Sequence, residues 1–222
     1  MRLSSADPET ELGSEKLPLP RLHPYERALK RIIDTAGAVV LLVLSSPLLI
    51  ILALLIRAFD GAPVIYRRKV VGMAGEFDAF KFRTMCRNAD AILAADPILH
   101  QAFTQKHKLK SDPRITKLGS ALRKYSLDEL PQLCNVLCGQ MSLVGPRMIT
   151  APELERYGRY QKLLLTMKPG ITGYWQVHGR QDVSYAERVE MDIQYITRWR
   201  VRTDLEILML TPLRVLGGRG AY

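Results

Sequence analysis

Residues 36–56 read AGAVVLLVLSSPLLIILALLI, 21 consecutive residues without a charge. As a straight helix the run would be about 32 Å long, just enough to cross the hydrocarbon core of a bilayer. It is not a cleavable leader, because it starts late, is too long and lacks a small-residue cleavage site after it. Its centre holds Ser45, Ser46 and Pro47. A proline removes one backbone donor and crowds the preceding turn, so a kink or break is expected there, with the serine hydroxyls able to serve the freed backbone groups. Both flanks are basic: Arg27, Lys30 and Arg31 precede the run, and Arg57, Arg67, Arg68 and Lys69 follow it. The rule that cytoplasmic loops are positive therefore gives a spanning helix no orientation. A helix–break–helix hairpin with both ends on the cytoplasmic face resolves the conflict. An ordinary kinked span is the alternative, and the residues alone leave both open.

The remainder can build a core. The chain has 222 residues, 47% of them apolar, and a formal net charge of +10. That excess suits a polyanionic partner such as nucleic acid, an anionic bilayer surface or a phosphorylated ligand. Cys86, Cys134 and Cys138 offer no disulfide framework and, with no nearby His, a poor zinc site. Residues 1–23 read as a flexible tail, 24–60 as the membrane helix broken at Ser46–Pro47, and 61–222 as a cytosolic domain. Residues 64–71 and 76–84, joined by GMAG, read as a β-hairpin with Lys81 and Arg83 on one face. Helical patterns follow at 87–109, 118–141, 153–167, 183–199 and 203–216. The last is apolar but interrupted by Pro212, fit to lie on a membrane or pack on the core. The fold class expected is α+β, mostly α: a re-entrant hairpin plus a catalytic domain with a small β-hairpin and amphipathic surface helices.

The stretch RKYSLDELPQL (123–133) sets Asp128 beside Glu129. Ser126 with Glu129 three residues later is a capping-box pattern, and acids in a first turn complement the helix dipole. The same geometry suits chemistry, since a helix N-terminus attracts phosphate and keeps a carboxylate ionised, as a nucleophile or Mg²⁺ ligand requires. Arg123 lies just upstream; Arg147 follows Gly145 and Pro146, and Arg180 follows Gly179. Arginine suits bidentate phosphate contact, though each of these alone also reads as a surface charge. There is no P-loop, no G-x-G-x-x-G and no H-E-x-x-H.

Taken in order, KRIIDTAGAVVLLVLSSPLLI, KFRTM (81–85), SDPRITKLGSALRKYSLDELPQLCNVLCGQMSLVGPR (111–147), KPGITGYWQVHGR (168–180) and DIQYITRWRVRTDLEILMLT (192–211) resemble the bacterial sugar transferases, monotopic phosphoglycosyl transferases acting on polyprenyl phosphate. The likeness covers nearly everything after about residue 27 and is to the compact form of the family. It implies a re-entrant helix in one leaflet of the bacterial inner membrane, with the catalytic domain on the cytoplasmic face. It implies Asp128 as the nucleophile on the β-phosphate of a UDP-sugar, releasing UMP through a phosphosugar–Asp intermediate. Polyprenyl (undecaprenyl) phosphate is the acceptor, and the product starts exopolysaccharide, capsule or O-antigen assembly. Glu129 assists; Asp128 and Glu129 hold Mg²⁺; Lys81, Arg83, Arg123, Arg147, Arg180 and Gln176 bind phosphate or substrate. Membrane lipid and a second copy of the chain complete the partners, and nucleic acid is not among them, because it explains the charge but not the apolar run. A non-catalytic, membrane-anchored interaction protein on the same scaffold is the alternative. Met148 stands where a proline often follows GPR, and GYWQVHGR replaces GWAQVNGR at Tyr174, Trp175 and His178, which bears on the sugar donor and leaves its identity open.

Overall fold

The computed structural model describes residues 23–97, 100–101, 112–179 and 183–216. The tail at 1–22, Arg180 and part of the polar helix expected at 87–109 fall outside them. Helix α1 (Pro24–Phe59) is 36 residues long, opens on a His23–Glu26 capping box, and carries Pro47 inside it. The break expected at Ser46–Pro47 does not form; the helix is continuous. Pro47 cannot donate to the carbonyl four residues back, that of Val43. The Ser46 hydroxyl donates to that carbonyl instead, at 2.8 Å, and the Ser45 hydroxyl donates to Leu41 O at 2.6 Å. Side-chain donors thus replace the missing backbone donor and the helix runs on.

Both ends of α1 are held by the same body of structure. Near the N-terminal end, Arg31 donates to the carbonyls of Val136 and Leu137 at 2.7 and 2.8 Å, at the C-terminal end of helix α4 (Gln132–Leu137). A cation there satisfies orphan carbonyls and complements the helix dipole. Asp34, 4% exposed, accepts from the Ser142 hydroxyl and the Leu143 N–H, both at 2.9 Å, in strand β3 (Ser142–Val144). Lys30 reaches Asp204 at 2.6 Å, in helix α9 (Val201–Leu216). Near the C-terminal end, Leu52 and Ile56 pack with Phe82 and Leu122, and Leu127 joins them. Between the docks the helix bares Val39, Val40, Val43, Leu44, Ile50 and Ile51. This is an apolar surface with no protein against it.

The hairpin forms as the sequence suggests. Strand β1 (Ile65–Gly72) pairs antiparallel with β2 (Gly75–Phe82), and Gly72 opposite Gly75 closes a Met73–Ala74 turn. Buried Asn135 in α4 then acts as one more strand: it accepts from Phe80 N–H at 2.9 Å and donates to Asp78 O at 2.8 Å. Helix α2 (Ala89–Ala95) follows on the surface. Helix α3 (Lys117–Lys124) begins at Thr116, whose hydroxyl accepts from Gly119 N–H at 2.9 Å. Gly119 is required: a Cβ there would sit 2.1 Å from Thr84 O. The closeness lays α3 on the end of β2 and brings Arg123 Nε within 2.9 Å of Thr84 Oγ1.

A second pairing was not legible in the pattern of residues. Strand β3 runs parallel to β4 (Gly170–Thr172), with Ser142 opposite Gly170 and Val144 opposite Thr172. Each strand is three residues long, too short for a period of two to show. The main core gathers around it, from Met141, Leu143 and Val144 to Leu163, Val177, Ile196 and Ile207. Helices α5 (Ala151–Glu155), α6 (Gln161–Leu164), α7 (Tyr174–His178) and α8 (Tyr185–Thr197) complete it. Helix α9 buries Ile207 but exposes Leu205, Met209 and Leu213, an apolar stripe at four-residue spacing.

The Lys30 dock has a measurable consequence. Asp204 also accepts from Tyr195 OH at 2.7 Å and Trp199 Nε1 at 3.1 Å. Asp204→Ala leaves the Trp199 N–H without an acceptor and Lys30 and Tyr195 with Val144 O alone, in a buried site, and is expected to cost about 3–5 kcal/mol of stability. Thermal melts in detergent check this; an unchanged melting temperature contradicts it.

Candidate active site

The two acids sit in a 3₁₀ turn, Leu127–Glu129, between α3 and α4. Ser126 enters the turn in the left-handed region at φ 52° and makes no side-chain cap. The capping box expected of Ser126 and Glu129 therefore does not form. Glu129 turns away to pair with Lys81 of β2 instead. Leu127 packs under the C-terminal half of α1, so the turn is anchored to the apolar helix itself.

Asp128 is 8% exposed, and no side chain among the described residues hydrogen-bonds its carboxylate. Burial raises its pKa above the ordinary carboxylate value; Glu129 next door adds to this, and Lys81 and Arg123 oppose it. The helix N-terminus expected to keep this acid ionised is a single 3₁₀ turn, and desolvation outweighs it. Arg123 is itself pushed down by burial and pulled up by Asp128.

The cleft beside the turn is lined by Arg68, Lys81, Glu129, Gln132, Arg147 and Gln176. Of the residues singled out in the sequence, Lys81, Glu129, Arg147 and Gln176 meet here, with Asp128 and Arg123 adjoining through the 3₁₀ turn and α3. Arg83 is placed elsewhere: its Nη2 donates to Asp60 O and Gly61 O, at 2.5 and 2.7 Å, at the end of α1. Strand β2 ends at Phe82, so the alternation that paired Arg83 with Lys81 ends before it. His178 lies outside the cleft, its ring stacked on Tyr174 with centroids 4.2 Å apart.

Arg147 is set by the parallel pair. It bridges to Gly170, where a Cβ would meet Gly145 N at 2.1 Å, so only glycine lets the two backbones pass this closely. Its N–H points at buried Asp192, 3.3 Å from each carboxylate oxygen, and Tyr157 OH donates to the same carboxylate at 2.9 Å. Sequence reasoning gave no site role to Gln132, Arg188 or Asp192, read Arg68 only as part of the basic flank, and marked Trp175 only as a departure bearing on the donor. Gln132 carried a signal, four residues after Asp128 and so on its helical face had the turn been α-helical.

Two hard-oxygen acids, Asp128 and Glu129, are what this site offers a divalent cation; no group of three or more His, Cys, Asp or Glu side chains gathers among the described residues. That donor set fits Mg²⁺, which takes one or two carboxylates and fills its remaining positions with water and substrate phosphate oxygens.

The bacterial sugar transferase family model matches residues 25–218. The chain is 47% identical over 201 residues to an undecaprenyl-phosphate galactose phosphotransferase of Salmonella typhimurium, covering 88% of this chain and 42% of that protein. It is 41% identical over 206 residues to the exopolysaccharide production protein ExoY of Rhizobium meliloti, covering 90% of this chain and 91% of that one. It is 38% identical to a UDP-glucose:undecaprenyl-phosphate glucose-1-phosphate transferase of Escherichia coli, covering 90% of this chain and 43% of that protein. The chain thus spans under half the length of the first and third of these and nearly all of the second.

Asp192 supplies a pH test. Burial raises its pKa from 3.8 to about 7. A carboxyl raised in the fold binds its proton more tightly there than when unfolded, so stability falls as pH rises from the unfolded value through the folded one and is level above it. Asp192→Asn should remove that slope. Between pH 5 and 8 the melting temperature of the wild type should drop relative to the variant by roughly 3–10 °C; parallel curves contradict this.

Proposed function

The chain belongs to the bacterial sugar transferase family, and from that membership we propose that it moves a sugar 1-phosphate from a UDP-sugar to polyprenyl (undecaprenyl) phosphate. The observation that carries the proposal is the buried Asp128 carboxylate, with no side-chain hydrogen bond among the described residues, beside the Glu129–Lys81 pair, on a turn anchored to the apolar helix. In the first step an Asp128 oxygen attacks the β-phosphorus of the donor. The bond from phosphorus to the bridging oxygen breaks, its electron pair leaves on UMP, and the sugar phosphate is held on Asp128. In the second step a phosphate oxygen of the lipid attacks the same phosphorus, and the Asp128 carboxylate is restored as the leaving group. A covalent carboxylate intermediate splits one hard transfer into two in-line displacements.

Desolvation makes the Asp128 anion reactive once formed, and Lys81 and Arg123 favour its ionised state. Arg147 and Gln176 in the cleft receive the donor, and Lys81 orients Glu129 beside the reacting phosphate. Mg²⁺ held by Asp128 and Glu129 would neutralise phosphate charge, the main requirement of phosphoryl transfer. The hexose carried by named relatives, galactose or glucose, supports a hexose 1-phosphate as cargo.

The same reading places α1 in one leaflet of the inner membrane, bent at Pro47 so that both ends stay on the cytoplasmic face. It is supported by the two docks of α1 on one polar body, one at Lys30–Asp34 and the other at Leu52–Ile56. A straight span would carry one dock across the bilayer. The bare stripe on α9 adds apolar contact at the interface. The product would begin exopolysaccharide, capsule or O-antigen assembly, as the name of ExoY suggests for that relative.

Two experiments test this. UMP release from a panel of UDP-sugars with polyprenyl phosphate should be lost, by about 10³-fold or more, in Asp128→Asn, and cut by roughly 10²-fold in Glu129→Gln; full turnover by Asp128→Asn sinks the assignment. With Cys86, Cys134 and Cys138 replaced by Ser, single cysteines at exposed Tyr25 and Met73 should both react with an impermeant reagent only in inverted vesicles. Labelling of Tyr25→Cys from the periplasmic side means that the helix spans.

A further inference from the structure

Next to the cleft, on the side away from the carboxylate pair, two arginines share one indole. Arg147 Cζ lies 5.0 Å from the centroid of the Trp175 ring, and Arg188 Cζ lies 4.9 Å from it. Two cations this close repel, and the repulsion with burial holds the Arg188 pKa down. The π face attracts both guanidinium groups but cannot accept the N–H groups at their edges. Those donors are left over: Arg188 Nε and Trp175 Nε1 are buried and have no partner among the described residues. Neither guanidinium makes an ion pair among the described residues. Asp192, buried beside the Arg147 backbone, is committed to Tyr157 OH and the Arg147 N–H. Unpaired buried donors of this kind cost free energy unless a ligand answers them, and a native structure rarely leaves two such groups together without use.

The missing partner is an acceptor with negative charge. Arg147 belongs to both places, lining the cleft with Lys81 and Glu129 while stacking on Trp175. An anion at Arg188 and Trp175 is therefore neighbour to a phosphate held beside Asp128. We propose that Arg188 and Trp175, with Arg147 between them and the cleft, form a subsite for a second phosphate group, that of the departing nucleoside monophosphate. This rests on the donor being a nucleoside diphosphate sugar. When the bond from the β-phosphorus to the bridging oxygen breaks, the α-phosphate keeps that oxygen and gains a negative charge. Donors fixed in advance at that position stabilise the leaving group, and they do so more in the transition state than in the bound substrate. The other phosphate that enters this enzyme is the lipid's, and the experiment separates the two.

The test compares UMP with uridine as ligands of the full-length protein in detergent, by calorimetry, alongside the KM for polyprenyl phosphate. Arg188→Gln should weaken UMP about 10- to 100-fold, the range of a charged hydrogen bond, and leave uridine unchanged. Trp175→Phe keeps an aromatic face under the arginines but removes the N–H together with part of the indole, and should weaken UMP by roughly 3- to 10-fold. Arg188→Lys should recover part of the loss. Because the reading is a ratio of two ligands, a general loss of structure, which weakens both, does not imitate it. A rise in the KM for polyprenyl phosphate with UMP unaffected assigns the subsite to the lipid phosphate. Wild-type values for UMP and for the lipid in both Arg188→Gln and Trp175→Phe overturn the proposal. If the wild type releases no UMP from any UDP-sugar, it is the donor assignment that fails. Weakened binding of inorganic pyrophosphate in Arg188→Gln then still supports the subsite, and unchanged binding overturns it.

Discussion

One constraint orders this molecule: a 36-residue helix with a bare apolar middle is tied at both ends to the same polar body. Each tie uses groups that an isolated helix would leave unsatisfied or exposed. At one end the cations of Lys30 and Arg31 reach carbonyls and a buried acid; at the other, Leu52 and Ile56 complete a small core with Phe82 and Leu122. The serine hydroxyls before Pro47 let the helix stay whole between the ties. Leu127 belongs to the second core, and Asp128 is its neighbour in the chain. The position of the carboxylate proposed as nucleophile is thus set by the packing of the apolar helix.

The second theme is charge left uncompensated. Asp128 is buried, and desolvation outweighs Lys81, Arg123 and its own backbone N–H; Arg188 and Trp175 hold donors with no acceptor among the described residues. Both imbalances would be relieved by the class of ligand proposed for the site, a diphosphate accompanied by a divalent cation. A site that is matched to its charged substrate rather than to itself is what electrostatic preorganisation requires.

Much of this was legible in the residues. The apolar run, the hairpin around GMAG, and the grouping of Lys81, Asp128, Glu129, Arg123, Arg147 and Gln176 as site candidates follow from spacing and from the family likeness. What failed did so for local reasons. Ser126 looked like a cap, but its left-handed backbone turns it away and Glu129 finds Lys81, a partner 48 positions distant. Pro47 looked like a break; the Ser46 hydroxyl does serve the Val43 carbonyl, as its place before Pro47 suggests, and that keeps the helix continuous. Arg83 looked like a partner of Lys81, but the strand ends one residue too soon. Strands β3 and β4 are too short to show a period, and the pairing of Arg188 with Trp175 joins two helices that only the tertiary fold brings together.

The central claim is that the Asp128 carboxylate itself carries the sugar phosphate. Intact-mass and peptide mass spectrometry of the protein incubated with its UDP-sugar, in the absence of lipid acceptor, tests it most directly. The account expects a mass increase equal to one hexose phosphate, localised to Asp128 and discharged on adding polyprenyl phosphate. Rapid turnover with no adduct at any time, or an adduct on another residue, contradicts it.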